Sequence, residues 1–112
     1  MTREKLNNRR GSVTFEFQHA GIDYLVTFSP YDDGRLGEVF ITGVKLNTQA
    51  DIMARDCAIS ASLALQHGCE VSDLREALTL TETGQPAGPL AVALDLIAAD
   101  KHVRRRVPRL SA

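Results

Sequence analysis

From Ser12 the chain alternates in polarity with a period of two. In SVTFEFQ (12–18), Val13, Phe15 and Phe17 fall on one side and Thr14, Glu16 and Gln18 on the other, which predicts a half-buried β-strand. His19-Ala20-Gly21 is a short turn. IDYLVTFS (22–29) then repeats the pattern, with Tyr24, Val26 and Phe28 as its inner set. The short link predicts an antiparallel hairpin. PYDDGRLG (30–37) is rich in turn formers, and EVFITGV (38–44) reads as a third strand.

After Val44 the period changes from two to that of a helix. Thr48 suits an N-cap, with Asp51 three residues on in a weak form of the capping box, and the helix runs to His67 before a Gly68 stop. Met53, Ala54, Cys57, Ala58, Ala61, Ala64 and Leu65 form one broad apolar face, and Ile52, Ile59 and Leu63 a second stripe. Two apolar sides predict burial on two sides, with the helix placed between the sheet and another helix. Cys57 then reads as a small core residue. Ser72 is the expected cap of a short helix reaching Leu80. TETGQPAG (81–88) is a loop, and Pro89 opens a final helix to Ala99 whose interior holds one charge, Asp95. So apolar a helix predicts deep burial or an oligomer interface. The architecture expected is α+β, a three-stranded antiparallel sheet followed by helices packed on one face.

Charge divides the chain into three parts. Residues 1–10 carry Arg3, Lys5, Arg9 and Arg10 against Glu4, which gives +3. Residues 101–112 carry Lys101, Arg104, Arg105, Arg106 and Arg109 with no acid, which gives +5. The four bases and thirteen acids between them give −9, and the whole chain is −1. A basic lead-in (1–11), a folded domain (12–100) and a basic tail (101–112) follow. The tail is a candidate surface for nucleic acid phosphates or for a protein partner. At 112 residues and 44% hydrophobic content the chain suits a single globular domain. No apolar leader or membrane-length span occurs in the sequence, which predicts a cytoplasmic protein.

Few residues are arranged for chemistry. Cys57 and Cys69 form no CxxC pair, and His19, His67 and His102 lack ligand spacing, so no metal or cofactor is expected. There is no P-loop and no GxGxxG. The densest polar cluster is the loop with Tyr31, Asp33, Gly34, Arg35 and Glu38, a candidate site for a polar or phosphorylated ligand. The plain alternative is that Asp33-Gly34 simply makes the turn.

YDDGRLGEVFITGVK (31–45), followed by AISASLALQHG (58–68), resembles the TSCPD domain family. The lead-in REKLNNRRGSVTFEF (3–17) and the closing GPLAVALDLIA (88–98) are similar to that family too. Its members are small separate proteins or the C-terminal part of adenosylcobalamin-dependent ribonucleotide reductases. The resemblance implies a non-catalytic accessory or regulatory module associated with ribonucleotide reduction, with a reductase or a nucleotide as partner, while the apolar final helix and the two-sided central helix predict a homo-oligomer. A nucleic-acid-binding accessory protein working through its basic termini is the alternative.

Overall fold

The computed structural model describes residues 2–8 and 11–100. Its elements are β1 (Val13–His19), β2 (Ile22–Pro30), β3 (Leu36–Gly43), α1 (Gln49–Gln66), α2 (Val71–Ala77) and α3 (Pro89–Ala99). The strands form one antiparallel sheet in the order β1-β2-β3. Ala20 and Gly21, with φ of 52° and 78°, make the two-residue turn that joins His19 to Ile22. Two positive φ values match the right-handed twist of the flanking strands.

The alternation read from the sequence holds. Tyr24, Val26, Phe28, Val39 and Ile41 point into one core with Ala54, Ala58, Ala61 and Leu65 of α1 and Leu90, Ala93, Leu94 and Ile97 of α3. Phe15 meets Phe28 edge-on and Phe17 stacks on Tyr24. The helices therefore cover one face of the sheet. Arg75 of α2 donates two hydrogen bonds to the Asp95 carboxylate of α3, at 2.7 and 3.0 Å.

Several local expectations are corrected. β3 begins at Leu36, two residues earlier than expected, and ends at Gly43. α2 starts at Val71 and ends at Ala77, so Ser72 lies inside it and Glu70 is its N-cap. Most important, α1 is not buried on two sides: Ile52, Ile59 and Leu63 are exposed, as are Met53 and Cys57. α3 likewise buries one face, and Leu96 meets solvent.

The reason lies in where α1 sits. Ser62 Oγ accepts from Val39 N at 2.9 Å and donates to Val39 O at 2.8 Å. Gln66 Nε2 donates to Gly37 O at 3.0 Å, and Asp51 Oδ1 accepts from Gly43 N at 2.8 Å. All these groups belong to the margin of β3 that faces away from β2. Asp51, Ser62 and Gln66, spaced eleven and then four residues apart, share one side of the helix. They span about 22 Å of helix against about 20 Å of strand. Ala54, Ala61 and Leu65 turn to the core on one flank of this polar line. Ile52, Ile59 and Leu63 fall on the other flank, where they stay exposed among the described residues.

Asp51 is wholly buried. Its backbone N–H donates to Thr48 Oγ1 as the capping pattern predicts, but its carboxylate does not return to Thr48. It accepts instead from Asn47 N at 2.7 Å and from Gly43 N, with Arg55 Nη1 at 3.6 Å. These two N–H groups, ahead of Arg55, hold the carboxyl below its ordinary range. A Cβ on Gly43 would lie 3.0 Å from Asp51 Cβ, so the close approach of strand and helix requires glycine there.

Two outcomes follow. Ser62→Ala leaves both main-chain groups of Val39 buried without partners and should cost about 3 kcal/mol by urea denaturation, since each orphaned group costs roughly 1–3 kcal/mol. Ser60→Ala, exposed on the same helix, should change stability by less than about 0.5 kcal/mol. Asp51→Asn should lower the urea midpoint at neutral pH. A depressed native pKa stabilises above the unfolded value and is lost on acidification. The gap between wild type and Asp51→Asn should therefore close as the pH falls below about 4.

Candidate functional site

The β2–β3 connection is a closed turn. Tyr31 N donates to Arg35 O at 2.7 Å and Gly34 N to Tyr31 O at 2.9 Å. Gly34 has φ of 94°, where a side chain would be strained. Asp33 stabilises the same turn, since Arg35 N donates to its Oδ1 at 3.0 Å and Arg35 Nε to its Oδ2 at 2.7 Å. The backbone N–H and then the guanidinium of Arg35 lower the Asp33 pKa. The turn-making role of Asp33-Gly34 is therefore seen directly.

Arg35 is also held from a distant part of the chain. Its guanidinium carbon lies 4.6 Å from the Tyr31 ring centroid, and Nη2 donates to both Glu4 oxygens at 3.1 Å. Hydrogen bonds to Asp33, ahead of those to Glu4, raise the Arg35 pKa. Burial is the main cause that raises the Tyr31 phenol, followed by the nearby Glu4 charge. The phenol donates to Glu4 O.

These contacts belong to a strap formed by residues 3–7. Glu4 N donates to Gln66 O at 2.7 Å, Arg3 Nε to Gln66 Oε1 at 2.6 Å, and Asn7 Nδ2 to Asp32 Oδ2 at 3.0 Å. Leu6 lies over Gly37, where an added Cβ would come within 2.8 Å of it. Gln66 thus joins strap, helix end and strand margin through one side chain. Between strap and turn lies a cleft of about 230 Å³, lined by Glu4, Asn7, Tyr31, Asp32, Asp33 and Arg35.

Of the five candidate residues, Tyr31, Asp33 and Arg35 converge and Gly34 shapes their turn. Glu38 stands apart, buried within β3 opposite Ser29. Sequence reasoning missed Arg3, Glu4 and Gln66. The one signal was Glu4, the sole acid in a basic lead-in. A second cleft of about 420 Å³ lies between the β1–β2 turn and the β3–α1 connection, with Ile22, Asp23, Val44, Lys45 and Thr48 on its walls.

Among the described residues every buried side-chain nitrogen and oxygen has a partner, and no three His, Cys, Asp or Glu groups gather as metal ligands. Both cysteines are exposed and unpaired, so Cys57 is not the core residue expected. The reason is its place on the solvent side of α1. His19 Nε2 lies 3.1 Å from Ala87 O, tying the end of β1 to the segment before α3. No described helix is long and apolar enough to cross a membrane. Lys101, Arg104, Arg105, Arg106 and Arg109 lie outside the described residues.

No family model matches the chain, and no solved structure does. Curated proteins do, and two of them show the relation. The chain is 36% identical over 88 residues to a vitamin B12-dependent ribonucleotide reductase of Bradyrhizobium diazoefficiens, covering 79% of this chain and 7% of that protein. It is 37% identical over 86 residues to the enzyme of the same name from Agrobacterium fabrum, covering 77% of this chain and 7% of that protein. The chain is thus similar to a short segment of these reductases and spans about 7% of their length.

Proposed function

We propose that this chain is a non-catalytic accessory or regulatory binding module associated with ribonucleotide reduction, set in the cytoplasm, with a reductase chain as its partner. The observation that carries this reading is the similarity of more than three quarters of the chain to one short segment of two reductases. The site geometry supports binding over catalysis. Tyr31, Asp33, Arg35 and Glu4 are bonded to one another in a turn and a strap. The two clefts do not fit a corrinoid, being too small to enclose the macrocycle and having no histidine on their walls.

The reductase contact is assigned to the exposed stripe Ile52, Ile59 and Leu63, because a contiguous apolar surface on a helix marks an interaction site. Self-association of the chain would use the same surface and compete with it. A nucleotide is assigned to Arg35. Its phosphate would compete with the Glu4 carboxylate for the guanidinium, and so couple binding to release of the strap.

The test combines the chain with a vitamin B12-dependent ribonucleotide reductase and measures the mass of the mixture in solution. A complex is expected, and Ile59→Asp should abolish it while leaving the fold intact. In calorimetric titrations with nucleoside diphosphates, Arg35→Ala should weaken binding by about tenfold or more, the loss of a charge-assisted contact. A mixture that stays unassociated, together with titrations that give no heat, removes this reading.

A further inference from the structure

β1 is the second margin of the sheet, and no described element does for it what α1 does for β3. In the order β1-β2-β3 it has a strand on one side only. Its outward groups follow from the register. Both N–H and C=O of Val39 turn away from β2 to meet Ser62. Its partner Phe28 therefore turns its own main-chain groups toward β1, where Val13 lies opposite. The alternation then leaves the main-chain groups of Thr14, Glu16 and Gln18 pointing out of the sheet.

The side chains along this margin divide by face. Toward the helices lie Val13, Phe15 and Phe17, only partly buried, whereas Phe28, Val26 and Tyr24 opposite them are almost wholly buried. On the other face the Thr14 and Thr27 hydroxyls bond at 2.8 Å, and Gln18 Nε2 donates to Asp23 at 3.0 Å. Glu16 lies between them, exposed and opposite Leu25, whose side chain offers no donor. Its carboxylate has no partner among the described residues.

No proline, lysine or bulge guards the seven residues of β1. Its one carboxylate is Glu16, and that charge selects the occupant. A second copy paired about the middle of the strand would set Glu16 against Glu16, a destabilising arrangement. A cation opposite Glu16 has the reverse effect. The wider field agrees. None of the three strands contains Lys or Arg, and Asp23 lies diagonally across from Glu16 on the same face. Residues 11–100 hold thirteen acids against four bases.

We propose that the open edge of β1 docks an extended segment of another protein in which basic and apolar residues alternate, added as a fourth strand. The main chain of that segment bonds to Thr14, Glu16 and Gln18. A lysine or arginine stands opposite Glu16. The apolar residues on either side of it point to the other face and cover Phe15 and Phe17. This surface is separate from the exposed stripe of α1, so the proposal does not rest on the reductase reading.

Amide hydrogen exchange on the full chain, read residue by residue by NMR, tests it with an end-capped peptide of alternating valine and arginine, VRVRVRV, as the probe. At millimolar peptide the amides of Thr14, Glu16 and Gln18 should exchange about tenfold more slowly than in the free chain, the factor reached when the peptide exceeds its dissociation constant about tenfold. The acidic counterpart VEVEVEV should give no protection. Glu16→Lys, a change at an exposed side chain that leaves the fold intact, should reverse the preference between the two peptides. Exchange that VRVRVRV leaves unaltered overturns the proposal, as does equal protection by both peptides. So does protection already present in the free chain, which at a doubled mass would mean that β1 pairs with β1.

Discussion

The line of contact between α1 and the outer margin of β3 organises this protein. A sheet margin normally presents unpaired donors and acceptors, and burying them without partners is costly. Here Asp51, Ser62 and Gln66 supply the partners from a helix. The arrangement fixes the helix in height, because each polar side chain must meet its own strand residue. It also fixes rotation, because turning the helix would carry all three away together. The small residues Ala54, Ala58 and Ala61 then meet the core at close range.

From this contact the rest follows in sequence. Gln66 faces β3 through its amide nitrogen and receives the strap through its amide and main-chain oxygens. The strap in turn places Glu4 against Arg35 and beneath the Tyr31 hydroxyl. The polar loop that looks most like a ligand site is thus one end of a chain of contacts that begins at the strand margin. Any ligand there must displace a contact already made.

The sheet was legible in the sequence because alternation is local: each strand states its buried side by itself, and the inner sets at 13–17 and 24–28 are those observed. The position of α1 was not. Ile52, Ile59 and Leu63 look like core residues on a helical wheel, and nothing local distinguishes an apolar stripe facing protein from one facing water. Asp51, Ser62 and Gln66 look like narrow solvent strips, yet they are among the most buried polar groups in the chain. Hydropathy cannot anticipate this inversion, because a strand margin rewards polar side chains within a buried setting. The loop at 31–38 was half legible. Its turn chemistry was visible in Asp33-Gly34, but Glu4 and Gln66 reach it from distant parts of the chain on either side.

Shuttering one margin also limits how the sheet can grow. An exposed sheet with two free margins can extend in both directions and has no natural stopping point. With β3 closed by side chains, this sheet has a valence of one: whatever joins it joins at β1, and a pair formed there is complete. The hydroxyl of Ser62, seated on both main-chain groups of Val39, is therefore as much a brake on polymerisation as a stabilising contact.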